Sequence, residues 1–180
     1  MDNQLKRSPG VYLAGFMGSG KTTVARVLAD RLGWHFIDID SEIENAAQAT
    51  VAQIFESRGE PEFRRIEAET IRKVKSQVEH GMPSVIALGG GSFVDPANAA
   101  LLENHGITVW LDCPFEVIAQ RVFENSTVEA GSRPLAGNPE DFRKLYEERR
   151  AAYSRANYRV DANCDPERAV ELILELPCWK

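Results

Sequence analysis

Short apolar, β-rich runs alternate along this chain with stretches whose apolar residues recur every three or four positions. The short runs predict strands at Val11–Phe16, His35–Ile39, Ser84–Leu88, Ile107–Leu111 and Tyr158–Asp161. The periodic stretches predict helices over Lys21–Leu32, Ser41–Asn45, Val51–Ser57, Pro61–His80, Pro96–Asn104, Pro114–Phe123, Pro139–Ala156 and Pro166–Leu176. Strands alternating with helices predict a three-layer α/β/α fold around a five-stranded parallel sheet. End signals agree. Ser41-x-x-Glu44 fits a capping box. Pro61, Pro139 and Pro166 fit first helical positions, and Gly33, Gly81 and Gly106 fit residues that close helices. Glu124–Asn138 follows neither period and is polar and glycine-containing, which predicts a mobile lid.

The bulk properties narrow the function. A length of 180 residues suits a single domain, with its core over about 9–176. Hydrophobic content of 43% and charged content of 27% are ordinary for a globular protein. A net charge of -6 argues against a nucleic-acid partner, which calls for a basic face. No apolar run is long enough to span a bilayer, and residues 1–9 lack the apolar centre of a signal peptide. Cys113, Cys164 and Cys178 have neither metal nor disulfide spacing, so a reducing, cytoplasmic setting is expected. His35, His80 and His105 form no cluster in sequence.

Gly15–Thr22 reads G-F-M-G-S-G-K-T and fits the phosphate-loop pattern G-x-x-x-x-G-K-[ST] between a predicted strand and a predicted helix. Backbone N–H groups of Gly18, Ser19 and Gly20, with Thr22 and Thr23 at the helix start, are expected to cradle the phosphates of ATP. Lys21 is expected to reach the β- and γ-phosphates, and the Thr22 hydroxyl to ligate Mg²⁺.

Other residues fall where a second substrate would sit. Asp38 and Asp40 lie at the end of the second strand, on one face of it, where open parallel sheets bind ligands. One carboxylate can hold Mg²⁺ through water and the other can orient a substrate hydroxyl; alternatively Asp40 caps the following helix. Gly89, Gly90 and Gly91 leave backbone N–H groups open at the end of the third strand. On the helix from Pro61, Phe63, Ile66, Ile71, Val74 and Val78 form one apolar stripe. Arg64 lies at the edge of that stripe, leaning over a pocket or simply covering the core, while Arg65 forms an exposed pair with Glu69. On the helix from Pro139, Arg149 falls in the middle of the face made by Phe142, Leu145, Tyr146, Tyr153 and Ala156, with Arg150 at its margin. An inward guanidinium needs an anion, either a substrate carboxylate or an internal Asp or Glu. Arg133 is a lone arginine in the predicted lid, suited to close over a γ-phosphate.

As an ordered set, these motifs resemble the shikimate kinase family of P-loop kinases. The resemblance rests on the phosphate loop, Asp38-x-Asp40, G-E-x-E-F-R-x-x-E at Gly59–Glu67, the triplet Gly89–Gly91, R-P-L at 133–135, and Arg149 four before Tyr153. It implies transfer of the γ-phosphate of ATP to the 3-hydroxyl of shikimate, on the route to chorismate and aromatic amino acids. It implies Mg²⁺ on Thr22 with Asp38 in its outer shell. Asp40 would hold shikimate hydroxyls, including the attacking one. Arg64, Arg149 and the backbone around Gly90 would hold the carboxylate side, with Glu67 bracing Arg64. Lys21 and Arg133 would neutralise the transferring phosphoryl group. A substrate-binding helical region over about 40–80, a lid over about 124–138 and a monomer acting on small molecules complete the expectation.

This chain departs from the family in lacking an arginine in Phe123–Ser126 and a basic residue in Asp161–Asp165, both tied to adenine binding. It also reads R-P-L-A where R-P-L-L is more usual. Two alternatives compete: a kinase for another hydroxy acid such as gluconate, and a nucleotide-binding switch. The second lacks a guanine-reading N-K-x-D stretch and leaves the inward arginines without a ligand.

Overall fold

A computed structural model of the chain describes residues 10–103, 105–123 and 138–179. Five parallel strands are ordered β2-β3-β1-β4-β5. They are β1 (Gly10–Ala14), β2 (His35–Asp38), β3 (Ser84–Ala87), β4 (Ile107–Asp112) and β5 (Tyr158–Asp161). Among the described residues the helices are α1 (Lys21–Leu32), α2 (Ile39–Ala47), α3 (Val51–Glu79), α4 (Pro96–Glu103), α5 (Phe115–Phe123), α6 (Pro139–Tyr153) and α7 (Pro166–Leu174). The predicted architecture is present, and most boundaries fall within one or two residues of expectation.

β1, β3 and β4 are buried along their whole length, because helices cover both sheet faces. α1 and α7 pack together on one side. On the other side Tyr153 of α6 meets Trp110 of β4 at 6.2 Å between ring centroids. The chain runs from β1 outward to β2 and β3, then crosses β1 to reach β4. The order therefore reverses beside β1, and a crevice opens at the carboxyl ends of β1 and β3.

Two local readings are corrected and one is borne out. Ser41 does not open α2. Asp38 does, accepting a bond from the Ser41 N–H at 3.2 Å, while Glu44 accepts instead from the Val51 N–H at 2.9 Å. The capping box belongs to Thr50 and Gln53 at the start of α3. The helices expected at Val51–Ser57 and Pro61–His80 are both present within α3, separated by a kink at Gly59, whose φ of 79° and ψ of 169° are not helical. Gly106 closes no helix in the left-handed region, as Gly33 and Gly81 do. It is small because a Cβ there would sit 2.6 Å from the Gly10 carbonyl and the Tyr12 ring.

The expected lid residues 124–137, with Arg133, lie outside the described residues. Asn138 belongs to α6 rather than the lid. It caps that helix, accepting from the Glu140 N–H at 2.8 Å.

Candidate active site

The phosphate loop leaves the end of β1 and enters α1 at Gly20, whose φ of 91° suits only glycine. Lys21 is 8% exposed, and its ammonium donates to the Phe16 carbonyl at 2.9 Å, which folds the side chain over its own loop. The Ser19 hydroxyl is buried with no hydrogen-bond partner among the described residues. A buried orphan hydroxyl is costly unless a ligand satisfies it, so its position in the loop fits a phosphate. The Thr22 hydroxyl donates to Asp38 Oδ2 at 2.7 Å. Paired hard oxygens beside a phosphate loop fit Mg²⁺, which takes few protein ligands and keeps its waters.

Asp38 thus does two jobs, capping α2 with one oxygen and holding Thr22 with the other. That leaves Asp40, one residue inside the helix, for the cavity. The capping alternative raised for Asp40 is therefore excluded. Asp40 is open to solvent through the cavity mouth yet crowded by protein atoms, and its pKa is pushed up to about 6. Burial is the main cause. Asp38, Glu67 and Glu44 raise the value further, while Lys21 pulls it down.

A cavity of about 480 Å³ joins these groups to Arg64, Arg149 and the glycine triplet. Val51, Phe55 and Phe63 line it with apolar surface. The stripe Phe63, Ile66, Ile71, Val74 and Val78 is buried as predicted, which fixes the rotation of α3. Arg64 then leans into the cavity, and Arg65 points outward to Glu62 and Glu69. Arg64 donates to Glu67 Oε2 at 2.8 Å and to Glu60 Oε1 at 3.1 Å.

Arg149 is placed by an aromatic cluster. Phe142 and Tyr146 meet Phe16, at the root of the phosphate loop, at 5.1 and 5.4 Å between centroids. Such contacts contribute about 0.5–1.5 kcal/mol each beyond burial. One turn on, Arg149 is 7% exposed, lies over Phe16 and lines the cavity. Among the described residues no carboxylate lies within ion-pair distance of it; it lies beside the Tyr153 hydroxyl, whose ionised form its charge favours. The internal-acid alternative is met instead by its neighbour. Arg150 pairs with Asp112 at 3.3 Å and donates to the Tyr146 hydroxyl at 2.9 Å, away from the cavity.

Side chains at Gly89 and Gly91 would displace the cavity's own polar groups. A Cβ on Gly89 would lie 2.7 Å from Asp40 Oδ1, and one on Gly91 would lie 2.7 Å from an Arg64 guanidinium nitrogen. Gly90 faces Arg149. The structure therefore brings together Lys21, Thr22, Asp38, Asp40, Arg64, Gly89–Gly91 and Arg149, drawn from the carboxyl ends of three neighbouring strands and from two helices.

Sequence reading missed Arg121. It stands two residues before the stretch where an arginine was found lacking, and its guanidinium donates to the Gly18 carbonyl at 3.2 Å. Its spacing on α5, three after Ile118 and on the buried side, was the available signal.

Comparison with known proteins bears on this arrangement. Residues 17–176 match the family model described as Shikimate kinase. A shikimate kinase of a Sulfurihydrogenibium species is 37% identical over 166 residues, covering 91% of this chain and 95% of that protein. The structure of shikimate kinase from Acinetobacter baumannii in complex with shikimate superposes with a TM-score of 0.83 at 34% identity, covering 94% of this chain and 93% of that one. A gluconokinase from Sinorhizobium meliloti shares the fold alone, with a TM-score of 0.61 at 18% identity over 93% of this chain and 91% of that one. The match takes in most of the phosphate loop and the residues that line the cavity, and the chain belongs to the shikimate kinase family.

Proposed function

We propose that the cavity holds shikimate beside the phosphate end of ATP and carries out the reaction of this family. The chain is an ATP-dependent kinase that moves the γ-phosphate of ATP to the 3-hydroxyl of shikimate, releasing shikimate 3-phosphate and ADP. The observation that carries the assignment of roles is the pairing of one pocket-facing carboxylate with two arginines, Arg64 and Arg149, around a cavity continuous with the phosphate loop.

In this reading Arg64 and Arg149 hold the carboxylate of the acid, as donors that match its geometry. The glycine turn supplies N–H groups and clearance. Asp40 accepts hydrogen bonds from the ring hydroxyls and takes the proton of the attacking one as the new P–O bond forms and the bond to ADP breaks. Gly18, Ser19, Gly20 and Thr23 hold the nucleotide phosphates, with Lys21 on the transferring group. Thr22 and, through water, Asp38 would hold Mg²⁺. When bound, that ion would offset the negative charge of the phosphates. Arg133, in the lid sequence, completes the set. Catalysis is thus mainly alignment and charge complementarity.

We also read the chain as a cytoplasmic, monomeric single domain. None of the described helices is long and apolar enough to cross a membrane. A coupled assay with ATP and either shikimate or gluconate tests the acceptor. We expect turnover with shikimate; turnover of gluconate alone would reject the assignment.

A further inference from the structure

Ser92 follows the glycine triplet and is fully buried. Its hydroxyl donates a 2.7 Å bond to Glu67 Oε1, across 25 residues of sequence. The other oxygen of Glu67 accepts from Arg64 Nη1 at 2.8 Å. Glu67 is 1% exposed, so each oxygen of a buried carboxylate is committed to a different partner.

That division matters for Arg64. A carboxylate with both oxygens open takes a guanidinium as a two-point fork. With Oε1 occupied by Ser92, Glu67 tethers Arg64 at one nitrogen. The remaining donors, Nε and Nη2, turn to Glu60 Oε1, on a carboxylate that is 60% exposed. An exposed ion pair is weak and readily exchanged. Arg64 therefore has one fixed partner and one replaceable partner, and displacing the replaceable one frees two donor nitrogens for a substrate carboxylate.

We infer that Ser92 is a positioning residue for the acid substrate, acting through Glu67 to keep the free edge of Arg64 turned into the cavity. The inference rests on the proposed role of Arg64 in holding that acid. Losing the hydroxyl leaves Glu67 Oε1 without a donor, and the carboxylate then captures Arg64 at two points and draws it back from the cavity.

The test compares Ser92→Ala and Ser92→Cys with the unaltered enzyme, measuring KM for shikimate, KM for ATP and kcat. Ser92→Ala should raise the shikimate KM roughly tenfold, the worth of a hydrogen bond to a charged group, and leave the ATP KM within about twofold. Ser92→Cys keeps the side-chain shape with a slightly larger atom that is a poor donor, so it should resemble Ser92→Ala. It also carries the test should the alanine variant fail to fold. A shikimate KM unchanged in both variants, a parallel rise in the ATP KM, or full recovery by cysteine would overturn the inference. Arg64→Lys separates this failure from that of the site itself. If it too leaves the shikimate KM unchanged, the role of Arg64 falls rather than that of Ser92 alone.

Discussion

The Tyr153 hydroxyl donates to the Gly90 carbonyl at 2.5 Å, tying the end of α6 to the glycine turn. Burial raises the pKa of that hydroxyl, and the charge of Arg149 beside it pulls the other way. One phenol thus links the helix that carries Arg149 to the glycine turn. We expect Tyr153→Phe to cost about 1 kcal/mol of stability and to raise the shikimate KM while sparing that for ATP. Denaturant unfolding with steady-state kinetics would check this; an unchanged shikimate KM would assign Tyr153 to packing alone.

Asp40 predicts a pH dependence. Its pKa of about 6 means that kcat/KM for shikimate should fall below that pH, roughly tenfold per unit, as the proton acceptor fills. The folding consequence has a definite sign. Asp40 binds its proton more tightly folded than at its ordinary value of 3.8, so the fold gains from this group at low pH and loses that gain as pH rises through about 6. Asp40→Asn should therefore abolish turnover, preserve ATP binding, and raise the thermal midpoint at pH 8 more than at pH 4. Equal shifts at both values would mean that the carboxylate is not held at a raised pKa.

Arg149 and Arg150 are adjacent but face different partners. Arg149→Ala should weaken shikimate binding strongly with little loss of stability, since it breaks no ion pair among the described residues. Arg150→Ala should leave binding nearly intact, with Asp112 still held by Arg159. Calorimetric titration of both variants with shikimate would decide the matter. Equal losses of affinity would refute the assignment.

Asp38→Asn separates two roles. Asparagine caps helices about as well as aspartate, so stability should change by only about 0.5 kcal/mol. The lost charge should raise the Mg²⁺ concentration needed for half-maximal activity. A variant with normal Mg²⁺ dependence would leave Asp38 as a structural cap only.

Much of this was readable from the chain because the deciding features are local or periodic. The stripe on α3 orients Arg64, and the apolar face of α6 orients Arg149, so helical spacing separated each from its neighbour. The division of labour between Asp38 and Asp40 was not readable. Both can cap, and the choice depends on α2 starting at Ile39, which follows from the contact with Thr22 sixteen residues earlier. Ser92 was silent and Arg121 offered only its helical spacing, since each acts through a partner distant in sequence: Glu67 for one and Gly18 for the other. Spacing tells which way a side chain points, but only the folded chain tells what waits there.

The glycine turn has a consequence for how this enzyme can change. Between Asp40 and Arg64 the cavity wall is bare backbone, already at the smallest size that amino acids allow. Any substitution at Gly89 or Gly91 can only narrow the space there. Selection for a bulkier acceptor must therefore work elsewhere in the lining, on side chains such as Val51 and Phe55 that still have volume to lose. Two parts of the lining thus differ in evolutionary freedom: one is a fixed stop, and the other is the adjustable jaw.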